Sequence, residues 1–205
     1  MRKMCLLSAI SLALLSSTNS QAFEFQALQL QAAVGAEVRL SGTDTPKESF
    51  LNDMAVKIHV STFFVPQDNV MLFFGYGGLK LELAPWIWIY PAIGANAMFS
   101  TTEQFIASLW FGLNFFDGQM SLFLEGDVYI GYEKNYDFYG YYAIDWNPTN
   151  FMNVGVQVEQ VNDKAQFGPH LEFSYKVWHG GPQLYVGYVE GQPVWSVRVL
   201  SVVTF

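Results

Sequence analysis

The sequence predicts an all-β protein with a single closed antiparallel barrel of about ten strands. Three observations support this prediction: apolar and polar residues alternate along many segments, short turn-forming sequences separate these segments, and no useful helical period appears. Hydrophobic residues make up 51% of the 205-residue chain and charged residues 14%, against about 25% charged in an average protein. Because no apolar run after residue 22 reaches the ~20 residues of a membrane helix, this hydrophobicity must be distributed in another pattern.

Residues 1–22 predict a cleaved signal peptide. Arg2 and Lys3 precede an apolar run over residues 4–15, and small residues surround a cut after Ala22. Residues 23–205 then form one barrel domain. Cys5, the single cysteine of the chain, lies in the leader, so we expect no disulfide and no thiolate chemistry in the mature protein.

The mature chain is strongly acidic. Removal of Arg2 and Lys3 leaves 10 − 2 = 8 basic residues against 18 acidic ones, a formal net charge of −10. Such a charge predicts no nucleic-acid partner. Motifs for metals, phosphates and catalytic serines are missing from the sequence, so we expect no cofactor, no metal ion and no catalytic residue.

The first strand shows the alternation most clearly. Apolar residues recur at every second position from Leu28 to Leu40, over thirteen residues. Successive side chains of a strand point to opposite faces, so this segment has one apolar face and one polar face. Thirteen residues exceed the ~5–6 of a typical globular strand and fit a tilted membrane span with overhang.

Ten further segments follow, and turn signals separate them. The turn signals are PQDN from residue 66, STTEQ from 100, FDGQ from 116, NPTN from 147, HGGP from 179 and EGQP from 190. The eleven segments begin near Ala27, Met54, Val70, Trp86, Phe105, Met120, Asp137, Phe151, Phe167, Pro182 and Val194. Bacterial single-chain barrels have even strand numbers. We therefore expect ten strands, by merging within the glycine- and proline-rich residues 75–99, with twelve as the next alternative.

The polar faces of these segments carry the ionisable side chains. In a membrane barrel they would line the lumen, whereas a soluble barrel would expose them to water. The expected lumen network comprises Glu37, Arg39, Lys57, His59, Glu125, Asp127, Asp145, Glu159, His170, Glu172, Lys176 and Arg198. Both charge signs are present, so the set fits either a self-paired plug or a narrow, acidic-leaning conduit for small solutes or cations.

Aromatic residues fall near predicted strand ends, as in the interfacial girdles of membrane barrels. They are Trp86, Trp88, Tyr90, Tyr132, Tyr136, Phe138, Tyr139, Trp146, Trp178 and Trp195. Enrichment of aromatic residues in ordinary sheet cores is the alternative explanation.

The last strand favours the membrane alternative. Trp195, Val197, Val199, Val203 and Phe205 share one face of a strand that ends on a phenylalanine. This strand resembles the C-terminal signal of Gram-negative outer-membrane β-barrel proteins, although Ser201 stands where an apolar residue is usual. The resemblance implies a transmembrane barrel whose last strand closes against the first, recognition of that strand by the barrel-assembly machinery, and contact with outer-membrane lipid and lipopolysaccharide.

The expected function is a non-enzymatic outer-membrane barrel with a structural or conduit role. One alternative is a lipid-modifying hydrolase, because His59-x-Ser61 faintly resembles outer-membrane lipid A deacylases and His170, Glu172 and Ser174 share a strand face. A second alternative is a soluble exported barrel that binds an apolar ligand. The sequence leaves open whether the lumen is open or plugged.

Overall fold

A computed structural model describes residues 24–40, 53–66, 68–98, 104–131, 136–189 and 191–205. The expected signal peptide and Tyr132 lie outside these ranges. Across the same ranges, no helix has the length and apolar character needed to span a membrane.

The described residues form eleven strands that alternate with short turns. The strands are β1 (Glu24–Arg39), β2 (Asp53–Val65), β3 (Val70–Ala84), β4 (Ile87–Met98), β5 (Gln104–Phe115), β6 (Met120–Ile130), β7 (Tyr136–Thr149), β8 (Met152–Val161), β9 (Lys164–Tyr175), β10 (Trp178–Val189) and β11 (Gln192–Thr204). Lengths of 10 to 16 residues exceed those of typical globular strands.

The strands close into one barrel, as the sequence predicts, in which each strand pairs with its chain neighbours. All neighbouring pairs are antiparallel except the closing pair, in which β1 and β11 run parallel. The amide of Phe205 donates to the carbonyl of Gly35 at 2.9 Å, and the amide of Glu37 donates to the carbonyl of Phe205 at 2.9 Å. The last residue of the chain is thereby tied to the first strand, and the sheet has no free edge.

Eleven strands lie between the expected ten and twelve. The glycine- and proline-rich segment forms two complete strands, β3 and β4, paired over most of their length. Gly78 allows this close pairing, because a Cβ there would lie 2.2 Å from the carbonyl oxygen of Pro91. The even-number rule does not apply because β1 and β11 close in parallel, which puts the start of β1 and the end of β11 at opposite ends of the barrel.

These opposite ends define two rims. The N-terminal rim carries the start of β1 and the connections that follow β2, β8 and β10. The C-terminal rim carries Phe205 and the turns at residues 85–86, 116–119, 150–151 and 176–177. Large aromatic side chains are exposed at both rims: Phe105, Tyr136, Phe167 and Tyr188 at the first, and Trp86, Phe116, Trp146, Phe151 and Tyr175 at the second.

Most aliphatic side chains of the strands lie on the outside of the barrel, whereas the polar side chains and a smaller set of apolar and aromatic ones lie inside. On β8, Val156 is 59% exposed while its neighbour Gln157 is 1% exposed, and the other strands alternate in the same sense. Three aromatic residues expected in a girdle, Trp88, Tyr90 and Tyr139, point inward instead. Each lies an even number of positions from a buried polar residue of its own strand. Because side chains two apart on a strand point to the same face, all three are directed into the lumen.

Candidate functional site in the barrel lumen

Arg198 is the centre of the lumen network. It projects from β11, is 3% exposed, and its Nη2 donates to both carboxylate oxygens of Glu159 at 2.9 and 2.8 Å. Its Nε donates to Oε1 of Gln29 at 3.1 Å and its Nη1 to the hydroxyl of Tyr185 at 2.9 Å. The guanidinium therefore links β11 to β1, β8 and β10, and its charge is balanced inside the barrel.

Glu159 receives two further hydrogen bonds. The Tyr139 hydroxyl donates to its Oε1 at 2.8 Å and the Gln166 amide to its Oε2 at 2.5 Å. Because its carboxylate accepts from Arg198 and these two neutral donors, the ion pair has the additional hydrogen bonds that a buried pair needs to be tolerated.

Asp127 forms a second buried cluster with three hydroxyl groups. Ser108 donates to its Oδ1 at 2.5 Å, and Tyr76 and Tyr129 donate to its Oδ2 at 2.9 and 3.4 Å. These donors lie on β3, β5 and β6, so the cluster joins three strands near the N-terminal rim. Glu125 lies two residues earlier on the same inward face.

Asp145 and His170 form a third contact through a gap in the strand between them. The Nε2 of His170 lies 2.6 Å from Oδ1 of Asp145. Asp145 on β7 and His170 on β9 both pair with Gly155 of β8. A Cβ on Gly155 would lie 2.1 Å from that oxygen and 2.6 Å from Cε1 of His170. The missing side chain is therefore what allows the two groups to meet.

Lys57 lies against aromatic rings in the middle of the barrel. Its Nζ is 4.8 Å from the ring centroid of Trp110 and 5.2 Å from that of Tyr90. His59, two residues later, lies edge-on to Trp110 with ring centroids 5.5 Å apart. Cation–π contact with these rings stabilises the ammonium group away from bulk water.

A more open cluster surrounds Lys80 near the C-terminal rim. Its Nζ lies 3.3 Å from Oε1 of Glu37 and 3.0 Å from Oε1 of Glu82. These side chains are more exposed than those around Arg198, so water screens their charges more strongly.

The lumen contains two adjoining cavities that differ in character. A smaller one of about 110 Å³ lies toward the N-terminal rim, and a larger one of about 270 Å³, called the C-terminal chamber below, lies toward the other rim. Arg198, Trp110 and Glu125 border both cavities. The C-terminal chamber is further lined by Phe123, Tyr141, Asp145, His170, Glu172 and His179.

Apolar side chains of β1, β2 and β3 pack together inside the barrel near the N-terminal rim. Ala27, Phe63, Val65 and Leu72 form a cluster, called the N-terminal seal below, against which Phe74 packs. Val65 and Leu72 are 0% and 2% exposed although they lie near strand ends. Inward residues near the opposite rim, such as Asn114 and Ser174, are exposed. Among the described residues, inward side chains of β1, β2 and β3 are therefore buried near the N-terminal rim, whereas inward side chains of β5 and β9 are exposed near the C-terminal rim.

Most of the charged residues assigned to the lumen from sequence lie inside the barrel, but two occupy different positions. Lys176 lies in the exposed turn after β9, with a φ of 55°, and its Nζ is 5.3 Å from the Tyr175 ring. Because β9 ends at Tyr175, the alternation of its side chains does not predict the direction of the side chain at position 176. Arg39 ends β1 at the C-terminal rim and is exposed.

The predicted closing strand has the expected facing. Val199 and Phe205 are exposed outward, and Trp195, Val197 and Val203 share their face. Ser201, the departure from the usual pattern, accepts a hydrogen bond from Nε1 of Trp178 at 3.0 Å on the outer surface. Its hydroxyl therefore has a local partner.

Within the described residues, no hydrogen bond joins a histidine to a serine among the side chains considered for hydrolysis. A serine nucleophile needs a histidine that contacts it and an acid behind the histidine. Here the Nε2 of His170 contacts Oδ1 of Asp145 and not the hydroxyl of Ser61 or Ser174. Ser174 is exposed, and His59 packs against Trp110 and Tyr76.

The sequence analysis does not identify the uncharged side chains that accompany the charged groups in the lumen. Gln29, Gln157, Gln183 and Tyr185 are buried, and all but Gln157 lie within one or two hydrogen bonds of Arg198 or Glu172. The sequence signal that could identify them is their parity, which places them on the inward face of their strands. Among the residues that the structure describes, no group of three or more histidine, cysteine, aspartate or glutamate side chains is placed to hold a metal ion.

Comparison with protein-family models, with curated proteins and with solved structures finds no match.

Proposed function

We propose that this chain is an integral outer-membrane β-barrel of a Gram-negative bacterium, exported by a cleaved signal peptide. It is non-enzymatic, and its lumen is a polar chamber accessible from the C-terminal rim and sealed at the N-terminal rim. In this proposal the protein holds a small solute or cation, or serves as a structural barrel, and does not act as an open conduit.

The observation that carries the membrane assignment is the outward position of the apolar rows. Ile93 is 77% exposed, and Ile58, Val60, Leu109 and Ile144 are more than half exposed. A soluble barrel would leave such a surface in water, where it promotes aggregation. In a bilayer the same surface faces acyl chains, and the closed sheet satisfies every strand edge.

Two further features support the proposal. Exposed aromatic residues at both rims match the interfacial girdles of membrane barrels. The outward face of β11 and its terminal Phe205 provide the surface by which the assembly machinery would recognise the chain, and lipopolysaccharide and phospholipid would contact the outer wall.

The chamber assignment depends on the N-terminal seal. Apolar constrictions stop ion flow when they exclude water, and the seal has almost no exposed surface. The paired Arg198 and Glu159 divide the lumen further.

Fractionation of cells that express the full chain tests the membrane assignment. We expect the mature protein in the outer-membrane fraction after carbonate washing, with faster gel migration when it is extracted in detergent and left unheated. Release with the periplasmic contents without detergent would contradict the proposal and favour the soluble exported barrel.

A further inference from the structure

A polar cavity lies at the C-terminal rim, apart from the C-terminal chamber. It has a volume of about 340 Å³ and is called the rim cavity below. Residues 117–119, in the turn after β5, and residues 149–150, where β7 ends, supply much of its wall, and Ser174 of β9 borders it. None of the described residues lines both cavities. The volume lies at the lower end of the range for small-molecule sites, about 300–1,000 Å³.

Hydrogen bonds hold the walls of the rim cavity in place. Nδ2 of Asn147 donates to the carbonyl of Gly118 at 2.8 Å, and the backbone amide of Asn147 donates to the carbonyl of Gln119 at 2.8 Å. The amide of Ser174 donates to the carbonyl of Phe151 at 2.9 Å, which ties β9 to the turn after β7. The cavity is therefore preformed, and less ordering is needed when a ligand binds.

The accessible groups of the rim cavity are mainly amides and hydroxyls. The side chains of Asp117, Gln119 and Asn150 are exposed, and so are those of Thr149 and Ser174. An amide group carries donors and an acceptor side by side, and a hydroxyl group is both a donor and an acceptor. Such groups match a ligand that also donates and accepts at neighbouring atoms.

This lining excludes several classes of ligand. An anion would meet the carboxylate of Asp117 and no basic side chain among the described lining residues. A purely apolar molecule would leave the amide groups without hydrogen bonds, which is costly. A metal ion lacks support, because the described residues offer no group of three acidic, cysteine or histidine side chains. A peptide that adds a strand needs a free sheet edge, and the barrel has none.

Exposed aromatic residues flank the lining residues in the chain. Phe116 precedes Asp117 and is 72% exposed, and Phe151 follows Asn150 and is 58% exposed. Phe116 has a φ of 51°, in a turn that the amide of Gly118 closes on the carbonyl of residue 115 at 3.1 Å. This conformation is strained for a bulky residue, and such strain is concentrated at ligand sites. Aromatic faces offer flat apolar surfaces on which the C–H face of a sugar ring can pack.

We propose that the rim cavity binds a neutral saccharide. The carboxylate of Asp117 and the amides of Gln119 and Asn150 form hydrogen bonds with its hydroxyl groups, and Asn147 is a positioning residue that holds the turn before β6. Because a saccharide carries hydroxyl groups around its ring, the protein groups need not converge on one atom. The inference goes beyond the proposed function, since it needs the folded barrel but neither a ligand in the lumen nor the N-terminal seal.

The saccharide could be a free sugar or the sugar headgroup of a glycolipid. The test uses ¹⁵N-labelled protein refolded in phosphocholine micelles, because maltoside and glucoside detergents would themselves present sugar rings. The side-chain amide signal of Asn150, assigned with Asn150→Ser, reports occupancy of the rim cavity. Glucose, galactose, mannose and N-acetylglucosamine are titrated separately. Glycerol, which has hydroxyl groups but no ring, and calcium chloride are the controls.

We expect at least one of the four sugars to shift the Asn150 signal saturably, and glycerol and calcium chloride to give no saturable shift. Asp117→Asn should weaken the sugar affinity about tenfold, because it removes a charge-assisted hydrogen bond. Asparagine tolerates the φ of 54° at this position, so the turn should persist. Asp163→Asn makes the same change in an exposed turn at the opposite rim, and it should leave the affinity unchanged.

A parallel measurement in nanodiscs separates the two sources. A shift of the Asn150 signal in phosphatidylcholine discs that contain rough lipopolysaccharide, relative to phosphatidylcholine discs alone, identifies a glycolipid; a shift only with a free sugar identifies a soluble saccharide. Either result supports the inference. A saturable shift with calcium chloride and no sugar, equal weakening by Asp117→Asn and Asp163→Asn, or no shift in any arm overturns it.

Unheated gel migration of the same samples reports barrel formation. A folded barrel whose Asn150 signal ignores every sugar therefore refutes the rim site and leaves the membrane assignment standing.

Discussion

At the scale of single residues, the lumen depends on complete pairing of its buried charges. Arg198 and Glu159 satisfy each other only because Gln29, Tyr185, Tyr139 and Gln166 supply the remaining contacts. Taking both charges out of water is expensive, so the pair is a poor source of net stability. Loss of one partner is strongly destabilising, since it leaves an uncompensated buried charge.

Glu159→Gln should destabilise the barrel by about 3–5 kcal/mol, because Arg198 would remain buried without its counter-charge. The measurement is the urea midpoint for loss of the fast-migrating form in micelles. Glu37→Gln is the control; its pair with Lys80 is more exposed and should contribute about 0–1 kcal/mol. Equal effects of the two substitutions would show that Arg198 is not dependent on Glu159.

Gly155→Ala should separate Asp145 from His170, because the new methyl group would occupy the space where they meet. Backbone atoms also lie close, with the Ile144 carbonyl oxygen 2.6 Å from that Cβ position, so we expect a destabilisation of about 1–3 kcal/mol. Gly126→Ala is the matched strand control, since its nearest neighbour is a Phe138 ring atom at 3.8 Å. Urea unfolding compares the two, and indistinguishable midpoints would contradict the role of Gly155.

At the scale of strands, the N-terminal seal should keep the wild-type barrel electrically silent. Phe63 and Leu72 are register partners on β2 and β3 and point inward, so Phe63→Ala with Leu72→Ala should widen the lumen at this rim. We expect stepwise conductance in planar bilayers for this double variant and none for the wild type.

The adjacent outward pair supplies the control for this recording. Phe64 and Met71 are register partners one position away, and truncation of both should leave the barrel silent. The ring centroid of Phe63 also lies 4.9 Å from Cζ of Arg198, so loss of this ring disturbs the buried ion pair as well as the seal. If the double variant folds poorly, Leu72→Ala alone is the milder test. Stable steps from the wild-type protein would refute the seal directly.

The closing strand allows two roles of Phe205 to be separated. Deletion of Phe205 removes the backbone bonds to Gly35 and Glu37, so refolding in micelles and assembly in cells should both fall. Phe205→Leu keeps those bonds but not the aromatic ring, so refolding should persist while the amount assembled in the outer membrane drops. Normal assembly of Phe205→Leu in cells would show that the ring is not part of the recognised signal.

Alternation predicted where strands lie better than where they turn. Val70 and Met120 begin strands as expected. Gly180 and Gly181 suggested a turn, yet they lie within β10, and the turn falls at residues 176–177. A Cβ on Gly180 would lie 2.2 Å from the Leu200 carbonyl oxygen, and one on Gly181 2.0 Å from that of Leu171. These glycines permit close approach of neighbouring strands, which local turn propensity does not reveal.

Contacts inside the lumen were less predictable than its composition. Parity indicated that Asp145 and His170 point inward, but their contact depends on the register of three strands and on Gly155 between them. The same holds for Arg198 and Glu159, which lie on strands that are not neighbours. Periodicity assigns a face to each side chain, whereas a partner is defined only by the closed barrel.

At the scale of the whole molecule, the parallel closure of β1 on β11 gives an odd number of strands. The sequence contains eleven segments, and the expectation of ten came from a general rule about bacterial barrels. The local pattern was the better guide here, because Gly78 and its neighbours form complete strands in spite of their weak alternation.

The central claim is that the apolar rows face lipid and the polar rows face the lumen. Cys5 is the single cysteine of the chain and lies in the proposed signal peptide, so single-cysteine variants of residues 23–205 can carry one fluorophore each. A label at Val156→Cys, on the outer wall of β8, should be quenched by nitroxide lipids in vesicles and protected from aqueous iodide. Ser174 is inward and exposed near the C-terminal rim. A label at Ser174→Cys should therefore be quenched by aqueous iodide and not by nitroxide lipids. Quenching of the Val156 label by iodide and not by lipid would contradict the account.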